Sequence, residues 1–372
     1  MSPSPLVQDL VLAGVKIAVV VGSLLGLFSL MTWVERRTLA FMQYRLGPNR
    51  TGPLGIFQPI ADGIKLFFKE EVMPAAADKW AFLAAPVVAV GTALLAVAVV
   101  PYGPPFTLPR LDFLPSWLAW LWPEWVKGRA VQIQIATIDV GLLFIFAIAA
   151  LGVYGVVLAG WAANNKYSLL GGLRSSAQMF SYELALGLSW VGVIMLSGSF
   201  QITDIVEDQG LRFGGWFLGW NAFVQLPAFL VYFCAATAEV ARIPFDLPEG
   251  EAELVAGFHT EYSSMRFALI QMAEYINMIT VAVLGTNLFL GGWHAGIPGL
   301  PSAGLFGFVW WGAKVAAVLF VFIWLRGTLP RVRYDQLMHF GWKVLVPVAA
   351  VWILVTATGV ALFPGLFPVA SR

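Results

Sequence analysis

The chain is short of charge. Of its 372 residues only 12% are Asp, Glu, Lys or Arg, whereas 59% are hydrophobic. A soluble domain carries about 25% charged residues, so this composition belongs to an integral membrane protein. It has one cysteine, Cys234, within an apolar run. An iron–sulfur cluster ordinarily takes four thiolates, so this chain does not hold one alone. Its three histidines, His259, His294 and His339, fall in loops or at span ends, away from haem-ligating positions. No glycine loop with a following lysine is present to cradle phosphate; Gly171-Gly172 is too short for that. The net charge of +1 argues against a nucleic-acid partner.

What the chain does have is long apolar runs. Eight are near or above the roughly 20 residues a helix needs to cross a bilayer. They lie at about 10–34, 80–101, 133–160, 177–198, 217–241, 264–291, 305–325 and 344–364. Spanning segments in lipid must satisfy their own backbone groups, which makes these runs helices. The expected fold is therefore an all-α integral membrane bundle of eight spans in a single domain, 1–372. The first run is too long, and the N-terminus too poor in basic residues, for a secretory signal.

Basic residues orient the bundle. The odd-numbered loops carry fifteen Lys and Arg, and the even loops four, with Arg372 at the C-terminus. Positive loops stay inside, so the odd loops are expected in the cytoplasm and both termini on the outer, periplasmic side. Trp117, Trp120, Trp122 and Trp125 then make the outer segment 102–132 an aromatic interface loop.

Two inner loops carry the candidate chemistry. The first, 35–79, holds rigid Gly-Pro turns and then an amphipathic stretch after Gln58-Pro59. Ile60, Ile64 and Phe67 or Phe68 share one face, with Asp62, Lys65 and Lys69 on the other. This predicts a helix lying in the membrane interface, as a plain surface anchor or as the wall of an entrance for a lipid-soluble substrate. The second loop, 242–263, is acidic. Between Glu239 and Glu261 six carboxylates stand within 23 residues: Glu239, Asp246, Glu249, Glu251, Glu253 and Glu261. A carboxylate at bilayer depth costs roughly 2.5–3.5 kcal/mol even on the gentler scale. Crowded acids raise one another's pKa toward working pH, which suits proton handling. Asp139, Glu183 and Glu274, placed in spans three, four and six, extend the set. Each alone could be a structural ion pair, and Glu239 with Arg242 could pair on one helix face.

Three strings carry a resemblance. They are VERR with QYRLGPNRTGPLGIFQPIADGIKLFFKE, then GWAANNKYSLLGGLRSSAQMFSYE, then AEVARIPFDLPEGEAELVAGFHTEYSSMRFALIQMAEY. In that order they resemble the H subunit of the proton-pumping NADH:quinone oxidoreductase, respiratory complex I, whose mitochondrial counterpart is NADH dehydrogenase subunit 1. The resemblance implies a membrane subunit that forms part of a quinone chamber and couples quinone reduction to proton translocation, with quinone as substrate. It implies chamber residues Glu35, Arg36, Arg45, Asp62, Lys65, Arg242, Phe245 and Asp246. It implies a relay of Glu183, Glu239, Glu249, Glu251, Glu253, Glu261 and Glu274, to which Asp139 is added as an intramembrane acid. Fe–S clusters and FMN would belong to partner subunits on the cytoplasmic face, and antiporter-like subunits would adjoin in the membrane. The expected location is the cell (inner) membrane. Related energy-converting hydrogenases share parts of these strings, and an independent proton-coupled transporter is a further alternative. One departure is local: residues 238–242 read AEVAR where the family often has AETNR, so Val240 and Ala241 replace two polar side chains.

Overall fold

The computed structural model describes residues 4–108, 128–247 and 254–362. Helices dominate. α1 (Pro5–Met42) leads to the short α2 (Gln58–Phe68) and then to α3 (Lys79–Val97). α4 (Gly141–Ala162) and α5 (Lys166–Ser197) form a long antiparallel pair. α6 (Ile202–Leu211) and the single turn α7 (Asn221–Val224) precede α8 (Leu226–Glu239). α9 (Ser264–Phe289) and α10 (Gly304–Thr328) follow. The last rod is α11 (Tyr334–Phe340), a π turn at Gly341–Leu345, and α12 (Val346–Leu362). Among the described residues the only strands are the two-residue pair Phe106–Thr107 and Ala130–Val131.

Seven helical rods are long and apolar enough to cross a membrane: α1, α3, α4, α5, α9, α10 and α11–α12. The eighth expected run, 217–241, holds a shorter helix. α8 has 14 residues, about 21 Å at 1.5 Å per residue, with α7 before it. Pro227 opens α8 where its missing N–H is harmless, and the chain leaves the helix at Glu239, ahead of Pro244.

Other boundaries shift for local reasons. Residues 133–140 are not helical. Gln134 Nε2 donates to Val99 O at 2.8 Å and Ala136 N to Ala98 O at 3.0 Å, so this segment folds back on the end of α3. α5 begins at Lys166 rather than 177, because Asn165 caps it by accepting from Tyr167 N. It ends at Gly198, whose φ of 67° is the left-handed cap. Asp78 caps α3 through Trp80 N and Ala81 N. The Trp-rich stretch falls within 109–127, outside the described residues.

Small residues let α3, α4 and α5 approach closely. A Cβ on Gly155 would stand 3.0 Å from the backbone of Ala89. One on Gly160 would stand 2.7 Å from Ser168 O and 3.0 Å from Gly172 Cα. Without a hydrophobic force between helices in lipid, such close backbone contact is a main source of association.

At the end of the bundle reached by the expected outer loops, amide side chains tie the helices together. Gln209 Nε2 donates to Asn287 O, and its Oε1 accepts from Asn221 N and Gly291 N. Asn287 in turn bonds Pro101 O and Trp311 Nε1. Lys314 Nζ donates to three carbonyls, of Leu290, Gly292 and His294, and lies 3.9 Å from the centre of the Trp220 ring. Burial of a lone ammonium would be costly; three carbonyls and an aromatic face offset that.

Candidate functional site

The opposite end, where the expected inner loops gather, is hollow. A cavity of about 750 Å³ opens between α1, α2, the start of α9 and Arg326 of α10. On its wall Glu35 of α1 is held from three sides. Tyr275 Oη donates to Glu35 Oε2 at 2.7 Å, Arg242 Nη1 lies 3.5 Å from Oε1, and Arg326 Nη1 bonds the same oxygen. Arg242 also lies over the Tyr275 ring, 4.5 Å from its centre. Burial works against the charge on Arg242, but Glu35, Tyr275 and Glu274 outweigh it and keep the guanidinium firmly protonated.

α2 forms the rim. Its apolar residues Ile60, Ile64, Phe67 and Phe68 are exposed, as an interfacial helix requires. Its polar side faces α1: Arg36 Nη1 bonds Asp62 Oδ2 at 2.6 Å, Gln58 Nε2 donates to Oδ1, and Lys65 Nζ lies 3.5 Å away. Burial pushes the Asp62 carboxyl up, but Arg36, Gln58 and Lys65 together hold it below the usual aspartate range.

A second, smaller cavity of about 90 Å³ lies deeper, among α3, α4, α5, the end of α8 and α9. Glu183, Glu239 and Glu274 line it, with Ser175, Asn277 and Thr280. Glu183 Oε1 and Glu239 Oε2 are buried and accept no hydrogen bond among the described residues. Neither carboxylate forms an ion pair with those residues, in contrast to Glu35. A carboxyl free of fixed partners can change protonation without breaking a structural contact.

Of the sequence-predicted chamber residues, the structure brings Glu35, Arg36, Asp62 and Arg242 to the larger cavity. Lys65 stands just outside, on the Asp62 ion pair. Arg45 is exposed and bonded to Gln43. Phe245 is core, between Tyr182 and Phe340, and its carbonyl accepts from Gln178 Nε2 at 2.8 Å. Asp246 lines neither cavity. Of the relay candidates, Glu261 is bonded to Asn165 Nδ2 at 2.6 Å at the head of α5. Glu249, Glu251 and Glu253 lie outside the described residues. Asp139 is not within a span. It precedes α4, at the opposite end of that helix from Glu261, and accepts from Gln201 Nε2 at 3.0 Å.

Sequence reasoning missed His259, Tyr275 and Arg326, all of which line the larger cavity. Tyr275 sits in an apolar run and Arg326 just beyond one, neither with a spacing signal. His259 was visible as the titratable residue two places before Glu261, yet its position alone gave it no partner. The departure at 240–241 is structural: Val240 is buried, and Ala241 takes a φ of 52°, a conformation that asparagine tolerates better than alanine.

These features define a multi-pass, all-α membrane protein with two cavities, the larger lined in part by arginines and carboxyls and the smaller in part by three glutamates. The chain belongs to the NADH dehydrogenase family, whose model matches residues 15–357. It is 49% identical over 353 residues to the H subunit, copy 1, of the NADH-quinone oxidoreductase of Geobacter metallireducens, covering 95% of this chain and 98% of that protein. It is 47% identical over 351 residues to NADH-quinone oxidoreductase subunit 8 of Thermus thermophilus, covering 94% and 87%. The H subunit of the NADH-quinone oxidoreductase of Magnetococcus marinus is 47% identical over 341 residues, covering 91% and 89%.

Proposed function

We propose that this chain is the membrane subunit of an NADH-quinone oxidoreductase that walls part of the quinone chamber and couples quinone reduction to proton translocation. The observation that carries this reading is the pairing of two cavities. The larger, at about 750 Å³, is of a size that takes a small-molecule headgroup. The smaller, behind it, holds Glu183, Glu239 and Glu274. The names of the relatives support the quinone enzyme over a hydrogenase or a solitary transporter.

A quinone that gains two electrons must gain two protons or leave negative charge in a low-dielectric site, which is costly. Arg36, Arg242 and Arg326 line the larger cavity and favour such charge while it exists. The glutamates of the smaller cavity take up or release protons in answer to it. The electrons come from an Fe–S cluster in a partner subunit, itself fed through FMN, on the cytoplasmic face. Antiporter-like subunits adjoin in the cell (inner) membrane, and both termini face outward, as the basic loops indicate.

The test uses the assembled enzyme in proteoliposomes with Glu183→Gln and Glu239→Gln together. The expected result is quinone reduction with a collapsed proton-to-electron ratio. A normal ratio would overturn the relay. Mass spectrometry of the gently extracted complex checks the assembly: Fe–S, flavin and antiporter-like subunits are expected, and a nickel-site subunit in their place would move the chain to the hydrogenases.

A further inference from the structure

One contact between side chains joins residues of the two cavities. His259 lines the larger cavity, and Glu274 lines the smaller. His259 Nε2 lies 3.4 Å from Glu274 Oε1. The separation is longer than that of a formed hydrogen bond, and Nε2 makes no hydrogen bond among the described residues.

The surroundings fix the ring in place. His259 closes a single 3₁₀ turn, Gly257–His259, and its side chain is 2% exposed. The ring packs against Phe258 at 3.9 Å between centres and meets the edge of Phe267 at 5.8 Å. Phe258 faces the smaller cavity and Phe267 the larger, so aromatic walls flank the contact on both sides. The turn is seated on α5 by glycine against glycine: a Cβ on Gly171 would stand 2.7 Å from Gly257 Cα. Neighbouring α9 residues divide in the same way, since Tyr275 faces the larger cavity and Glu274 the smaller. A buried imidazole beside a carboxylate, between two cavities that each carry ionisable side chains, is the arrangement a proton-passing pair requires.

We propose that His259 and Glu274 are the proton-exchange contact between the two cavities. In the forward step the imidazolium N–H at Nε2 breaks and an O–H forms at Glu274 Oε1. One positive and one negative charge vanish together, leaving neutral imidazole and neutral acid with no net charge moved into the wall. The reverse step restores the ion pair. His259 exchanges its proton with the larger cavity and Glu274 with Glu183 and Glu239. This rests on the proton-coupled reading above and assigns its crossing point.

The experiment replaces His259 by Gln in the complete enzyme, which keeps a polar group of similar reach but cannot accept and release a proton at neutral pH. Proteoliposomes report quinone reduction and proton pumping together. The expected result is at least a tenfold loss of coupled turnover, the same loss in Glu274→Gln, and no further loss in the double variant. A second readout is chemical rescue: in His259→Ala, added imidazoles should restore turnover in an order that follows their basicity, which a purely structural role would not produce. Poor assembly of the His259 variants leaves Glu274→Gln to decide, and normal pumping from it overturns the proposal. Normal pumping in His259→Gln while Glu183→Gln with Glu239→Gln collapses it overturns the His259 contact alone. Normal pumping in all of them removes the proton-coupled reading and this inference with it.

Discussion

Tyr275 Oη donates to Glu35 Oε2 at 2.7 Å, and this bond ties α9 to α1 across the wall of the larger cavity. Glu35 is the anion shared by Arg242 and Arg326, so the tyrosine is one of three groups that hold it. The partners differ in what their removal leaves behind. Tyr275→Phe removes one hydrogen bond to a charged group, about 1.5–3 kcal/mol. Glu35→Gln leaves two guanidiniums facing each other without their anion. Breaking a buried pair in this way costs about 3–5 kcal/mol, toward the low end here because Arg326 is 30% exposed. Denaturation midpoints of the assembled complex should fall further for Glu35→Gln than for Tyr275→Phe. The reverse order would show that the tyrosine, not the charge balance, secures the wall.

Docking of α2 should be sensitive to acid. The folded Asp62 carboxyl sits below its ordinary value because Arg36, Gln58 and Lys65 outweigh burial. Its contribution is therefore complete above the unfolded value of about 3.9 and is lost as pH falls through the lower folded value. Arg36 is 54% exposed, so the pair is worth no more than about 1 kcal/mol. A spin-label pair on α1 and α2 should keep its distance from pH 8 to 5 and lengthen only under strong acid. Asp62→Asn should remove that acid transition, and a transition near neutrality would assign the control of α2 to another group.

The left-handed backbone at Ala241 is a place where a substitution should help. Asn adopts this conformation with less strain than Ala, so Ala241→Asn should raise stability by about 0.5–1 kcal/mol. A lowered unfolding midpoint would mean that the new amide cannot find partners beside Val240 and Arg242.

Asp139 is expected to be dispensable for coupling. It stands outside α4, is bonded to Gln201 and lines neither cavity. Asp139→Asn should leave pumping within about twofold of the parent enzyme. A collapsed ratio would restore it to the relay.

These contrasts show what a linear pattern can and cannot reveal. Apolar run length located the long helices because lipid enforces it, and the amphipathic face of α2 was legible from Ile60, Ile64 and Asp62 alone. Run length could not find the start of α5, because Lys166–Arg174 is polar yet capped by Asn165 and packed by glycines. It also carried α4 back to 133, since Ile133 and Ile135 are apolar but their segment pairs with the end of α3. The acids Glu183, Glu239 and Glu274 stood out as charges in greasy surroundings. Arg326 and Tyr275 did not, because their task depends on Glu35, nearly the whole chain away for the arginine. His259 gains meaning only from a turn that brings it to Glu274.

The amide network at the other end has a consequence for the bundle itself. Gln209, Asn221 and Asn287 carry no exchangeable charge, and their donors and acceptors are spent on backbone groups, on the Trp311 indole and on Arg212, itself paired with Asp208. Lys314 is likewise fastened, to three carbonyls. Fastened on so many sides, the ends of α6, α9 and α10 are clamped together at one membrane face, and removing any one amide would loosen several helices there at once.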